Sequence, residues 1–129
     1  MFKILFYCSQ ELNGSFTELR KIIEKEISSD HIDIIKKFHT LSKKLKDVNN
    51  QYNIAILTAC NMEELNCLHA WKDCLIHMDI ILIVPKNDKK ALIYGRELYP
   101  RYITEIGRNY GYLNHILHNL IQRSKTREI

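Results

Sequence analysis

Asn53-Ile54-Ala55-Ile56-Leu57-Thr58-Ala59 is apolar almost throughout. Such a run, without the polar alternation of a half-solvated strand, reads as a β-strand covered on both faces. Asp79 to Val84 reads the same way, and Ile80 to Pro85 is the longest uninterrupted apolar run in the chain. Between these two strands Leu65, Leu68, Trp71 and Leu75 recur at helical spacing, so a third helix is expected there. Working outward, Lys3 to Cys8 is a first strand and Phe16, Leu19, Ile22, Ile23 and Ile27 mark a first helix. His31 to Phe38 is a second strand, and Leu41, Leu45 and Val48 are the stripe of a short second helix ending at Asn49-Asn50. Beyond Val84, Ala91 to Leu98 form a fourth helix closed by Pro100, Tyr102 to Ile106 a fifth strand, and Leu113 to Ile121 the inner stripe of a last helix.

Two capping boxes are expected, Ser15-Phe16-Thr17-Glu18 and Asn61-Met62-Glu63-Glu64, each offering a side-chain acceptor and a carboxylate to the open N–H groups of a helix start. Strands alternating with helices and covered on both faces give an α/β fold, a doubly wound five-stranded parallel sheet. Right-handed crossovers favour strand order 2-1-3-4-5, with a ligand crevice at the carboxyl ends of strands 1 and 3. Residues 1–122 are expected to form a single domain and 123–129 a polar C-terminal tail that frays.

Composition narrows the classes further. The chain has 129 residues, 46% hydrophobic and 26% charged, which suits one compact domain and excludes disorder. No run approaches the ~20 apolar residues of a membrane span and Met1 leads straight into a strand, so a cytoplasmic protein with no membrane partner is expected. The net charge of +4 is an ordinary solubility charge. The four cysteines, Cys8, Cys60, Cys67 and Cys74, contain no C-x2-C pair and are expected as free thiols, with no metal and no cofactor.

Lys3-Ile4-Leu5-Phe6-Tyr7, Ile54-Ala55-Ile56-Leu57, and Ala91-Leu92-Ile93-Tyr94-Gly95 followed by Tyr102-Ile103-Thr104 resemble the first strand, third strand, and fourth helix with fifth strand of the response-regulator receiver domain. The resemblance implies a flavodoxin-like, CheY-like (βα)5 fold over essentially the whole chain. It also exposes a lost chemistry. A receiver carries two acids after strand 1, a phosphoacceptor Asp after strand 3, a Thr or Ser after strand 4 and a Lys-Pro pair after strand 5. By position these fall on Cys8 and Ser9, on Thr58, at Val84, and on Glu105-Ile106. Phosphoryl transfer needs a hard cation held by carboxylates and a lysine offsetting the phosphoryl charge. Glu105 reverses that sign, and the nearby Glu11 does not rebuild the cation site alone. The chain therefore resembles a pseudo-receiver, and the expectation is a phosphorylation-independent protein-interaction module in signal transduction, a homodimer and not an enzyme.

Other readings make checkable demands. A low-molecular-weight tyrosine phosphatase needs an arginine six residues after Cys8 to clamp phosphate, and Gly14 stands there. A small phosphotransfer carrier or ligand-binding protein using Cys8, similar to the sugar-phosphotransferase IIB type, needs an anion-cradling loop, and Gln10-Glu11-Leu12-Asn13-Gly14-Ser15 has one glycine and an acid. A nucleic-acid role would rest on the basic stretch Lys36, Lys37, Lys43, Lys44 and Lys46, which lacks interleaved aromatics other than Phe38. A protein partner fits better on the receiver's output face, from the fourth helix to the last, where Tyr94, Tyr102, Thr104, Tyr110 and Tyr112 gather. For single residues a plainer role is open: Cys8 and Cys60 as small core residues, Thr58 bonded to backbone, Glu105 turned to solvent.

Overall fold

The computed structural model describes residues 2–9, 12–47, 49, 51–108 and 110–127, the side chains of Asn13, Thr126 and Arg127 excepted. Five strands, β1 (Ile4–Tyr7), β2 (Ile32–Ile35), β3 (Ile54–Thr58), β4 (Asp79–Val84) and β5 (Tyr102–Glu105), form one parallel sheet in the order β2-β1-β3-β4-β5. The helices are α1 (Asn13–Glu26), α2 (Phe38–Lys46), α3 (Met62–Ala70), α4 (Lys72–Leu75), α5 (Lys89–Arg96) and α6 (Gly111–Arg127), with a 3-10 turn at Ser29–His31. None of the described helices is long and apolar enough to cross a membrane.

The sheet is buried on both faces, and the two-residue period of the strands divides it into two cores. Ile4, Phe6, Ile54, Ile56, Ile81 and Ile83 pack beneath α1 and α6 with Leu19, Ile23, Leu113 and Leu117. Leu5, Tyr7, Ala55, Leu57, Leu82 and Val84 pack on the other face with Leu41, Leu65, Leu68, Leu75 and Ala91. The register aligns Tyr7 with Ile35 and Leu57, Thr58 with Ile83, and Val84 with Glu105, so the carboxyl ends of the strands finish side by side.

Several local expectations change. The helix α1 starts at Asn13, and Ser15 is therefore inside it, its Oγ lying 3.0 Å from Tyr110 Oη rather than capping the helix. The second capping box starts as expected, the Glu64 N–H donating to Asn61 Oδ1 at 2.9 Å. The expected second strand is cut to Ile32–Ile35 because Phe38 opens α2, where its ring packs against Tyr7 and Trp71. The helix α2 ends at Lys46, before Asn49, and Val48 and Asn50 lie outside the described residues. The expected third helix is broken at Trp71, whose backbone leaves helical geometry while the ring stacks on Phe38 at 5.1 Å. Of the polar tail expected over 123–129, residues 123–127 continue α6, with Ser124 buried, and Glu128 and Ile129 lie outside the described residues.

Gly95 shows why α5 lies so close to the sheet. A Cβ there would meet Leu82 Cδ2 at 2.8 Å and Ile103 Cδ1 at 2.9 Å. Glycine is a poor helix former, so its presence in α5 reflects this approach of helix to strand.

Candidate functional site: the carboxyl ends of the strands

Cys8 follows β1 and is fully buried, its N–H donating to the Ile35 carbonyl at 3.1 Å. Thr58 ends β3, also fully buried, with Oγ1 satisfied by no hydrogen bond of good geometry. Its hydroxyl is the polar neighbour of the Cys8 thiol and eases ionisation there, but burial dominates, and the thiol is pushed up to about 11 with Glu64 adding to the rise. Cys60, in the turn after β3, is likewise pushed up to about 11, first by burial and then by Glu64, with Ser9 opposing. Both thiols are therefore neutral at physiological pH, the state in which a cysteine is a poor nucleophile. That is the wrong state for a cysteine phosphocarrier.

Glu64, on the first turn of α3, organises this corner. Its Oε2 accepts from Tyr7 Oη and its Oε1 from the Cys60 N–H, each at 3.0 Å. Burial, then the adjoining carboxylate, hold the Tyr7 phenol protonated well above the usual tyrosine range. The expected capping box is thus displaced by one residue, the carboxylate serving Cys60 rather than Asn61. The sequence signal for Glu64 was its capping position; its link to Tyr7 is a tertiary contact with no local signature.

Val84 is fully buried and Glu105 beside it is 5% exposed. Glu105 does not point to solvent: Oε1 accepts from the Asn87 N–H at 3.1 Å, and Oε2 pairs with Arg108 Nε. Asn87 sits at a φ of 58°, in the left-handed region, in the turn after β4. The structure thus brings Cys8 and Thr58 together on one side and Val84 and Glu105 on the other. Among the described residues no group of three or more His, Cys, Asp or Glu is placed to hold a metal ion. Gln10 and Glu11 lie outside the described residues.

The tyrosine-rich region resolves into separate environments. Tyr110 does not reach the surface: it is 2% exposed, accepts from the Gly107 N–H at 2.9 Å and meets Ser15 across to α1. Tyr94 stacks on His69 with centroids 3.7 Å apart, while His69 Nε2 donates to the Tyr94 carbonyl at 2.7 Å, tying α5 to α3. Tyr102 and Thr104 are half-buried on β5, and Tyr112 is exposed on α6. Ile93 on α5 is 63% exposed. The five lysines do not share one face. Lys36 Nζ lies over the Phe16 ring of α1 at 5.1 Å and Lys46 Nζ over Trp71 at 5.9 Å, on opposite layers of the sheet. The four cysteines are free thiols.

No family model matches the chain, and no curated protein matches it. Solved structures do. A CheY-like response regulator receiver domain protein from Methanospirillum hungatei is similar with a TM-score of 0.71 and 15% identity, over 98% of this chain and 99% of that one. A two-component response regulator from Legionella pneumophila gives 0.64 and 15%, over 95% and 99%. A pilus assembly-related protein from Burkholderia pseudomallei gives 0.66 and 10%, over 95% and 88%. At these identities the likeness is one of fold, and the chain has the flavodoxin-like, CheY-like receiver fold with strand order 2-1-3-4-5.

Proposed function

We propose that the chain is a phosphorylation-independent pseudo-receiver that acts in signal transduction by binding a protein partner, itself a homodimer, and catalyses no reaction. The observation that carries this reading is Glu105. The resemblance puts a lysine there to meet a phosphoryl group, and this chain instead holds a buried carboxylate committed to the Asn87 N–H and Arg108. A phosphoryl group next to it would meet like charge in a poorly solvated setting. Cys8 and Thr58 add no carboxylate to the strand ends. The fold supports a signalling role by analogy, since one fold hosts many functions.

The binding surface on this reading runs over α5, β5 and α6, with Ile93 and Tyr112 exposed and Tyr102 and Thr104 half-buried between them. Large exposed apolar and aromatic side chains are the usual anchors of such surfaces, and a two-fold dimer would use the patch twice.

The test is an amide NMR titration with magnesium and beryllofluoride, a mimic of aspartyl phosphate. No shifts are expected at Cys8, Ser9, Thr58 or Glu105. Saturable shifts clustered there would restore a phosphorylation switch and overturn the proposal. In parallel, sedimentation of Ile93→Asp and Tyr112→Asp should show dimer lost; a dimer unaffected by both removes this surface from the reading.

A further inference from the structure

A second candidate site lies at the opposite end of the sheet. Between the amino ends of β4 and β5 and the end of α5 is a cleft of about 600 Å³, lined by Ile76, Met78, Asp79, Arg96, Tyr99 and Arg101 among others. That volume is within the range of small-molecule pockets. Its charge is positive on balance. Asp79 is nearly buried and takes up Arg101, whose Nε lies 3.0 Å from Oδ1, whereas no acid among the described residues pairs with Arg96. Lys72 adds a further cation at the rim, its Nζ 5.4 Å from the centre of the Tyr99 ring.

Tyr99 gives the cleft an exposed aromatic wall. It follows α5 with a φ of 54°, its N–H donating to the Arg96 carbonyl at 3.0 Å, in the left-handed position that helix ends usually give to glycine. A bulky side chain is strained there. Nor does the ring repay the strain by packing, since Tyr99 is 80% exposed, and Ile76 on the cleft wall is 68% exposed. Strained, exposed residues of this kind cluster at functional sites.

We propose that this cleft binds a small anion carrying a flat ring, of the size and chemistry of a nucleoside monophosphate. Arg96 presents a planar guanidinium group suited to phosphate oxygens, while Arg101, bonded to Asp79 through Nε, offsets that carboxylate. The Tyr99 ring offers a stacking face, and Ile76, Met78 and Ile103 supply the apolar wall against which a base lies. The site is remote from the strand ends bearing Cys8 and Glu105 and does not depend on the pseudo-receiver reading.

The test titrates the full chain with AMP, GMP and UMP by amide NMR, with adenosine and inorganic phosphate as the two halves. Saturable shifts at Ile76, Arg96, Tyr99 and Arg101 are expected below about 5 mM nucleotide, each half binding at least about tenfold more weakly. Arg96→Ala should weaken binding about tenfold. Tyr99→Gly should also weaken binding while raising Tm, because glycine relieves the backbone, and this separates the ligand role from the fold. Silence with all three nucleotides overturns the proposal. So does phosphate binding as tightly as the nucleotides, or nucleotide binding unchanged in both variants.

Discussion

Glu105→Ala removes the acceptor that holds the turn after β4 onto the end of β5. The lost hydrogen bond, from the Asn87 N–H to a carboxylate, belongs to a class worth about 1.5–3 kcal/mol. The Arg108 pair adds less, under about 1 kcal/mol, because the Arg108 side chain is 64% exposed and solvent screens it. Asn87 in its left-handed conformation then loses the bond that stabilises it. The expected destabilisation is about 2–3 kcal/mol. With a urea m-value of about 2 kcal/mol/M, the unfolding midpoint should fall by roughly 1–1.5 M at unchanged slope. Glu105→Gln keeps an acceptor and should cost about 1 kcal/mol, the charge-assisted share of the bond. Asn87→Gly, placed on the Glu105→Ala background, should return part of the loss by relieving the positive φ. A Glu105→Ala midpoint within about 0.2 M of the parent, or a Glu105→Gln as damaging as Glu105→Ala, refutes the claim that the carboxylate anchors this turn.

Three further outcomes follow from the packing. Gly95→Val should destabilise by about 2 kcal/mol or more, since even the first added carbon lies within 3.0 Å of Leu82 and Ile103; thermal unfolding at parental stability would contradict the close approach of α5. Phe6→Ala, which empties a fully buried position stacked on Phe16 at 5.6 Å, should cost about 3–5 kcal/mol in urea unfolding. The Cys8 thiol has a folded-state value of about 11 against 9.0 for a free cysteine, so the folded state retains a proton that the unfolded chain has lost. Its contribution is fully present below about pH 9 and declines to pH 11 at about 1.4 kcal/mol per pH unit. Cys8→Ala should flatten the alkaline limb of a stability-against-pH curve, and an unaltered limb would assign it to other groups.

The sheet was legible because its determinants are local. Continuous apolar runs at Asn53–Ala59 and Asp79–Val84 have few meanings, and parallel strands separated by amphipathic helices permit few topologies. The site was legible in residue identity but not in contact. Glu105 at the end of β5 is a fact of sequence, whereas its bond to the Asn87 N–H depends on a left-handed residue in a turn between β4 and α5. Tyr110 shows the opposite failure. Tyrosine is intermediate in burial preference, so its place in the region suggests a surface, but its hydroxyl has two partners inside, the Gly107 N–H and Ser15, and this draws the ring into the core. Ser15 follows the same logic: Ser15-Phe16-Thr17-Glu18 has the local form of a cap, but its hydroxyl is bonded to the distant Tyr110 from inside α1.

Two carboxylates do equivalent work on either side of the crevice. Glu64 ties the turn after β3 to Tyr7 through the Cys60 N–H, and Glu105 ties the turn after β4 to β5 through the Asn87 N–H. Both turns are therefore held by the fold itself, and neither needs a bound anion to order it. Amide exchange tests this directly, because opening of either turn must break one of these two bonds. In the parent chain the Cys60 and Asn87 amides, each bonded to a carboxylate, should both be protected from exchange. Glu64→Gln should accelerate Cys60 and Glu105→Gln should accelerate Asn87, each without affecting the other, since the bonds lie on separate turns. Acceleration of both amides by either change would mean that the two rims open as one unit, and the picture of two independent anchors would have to be abandoned.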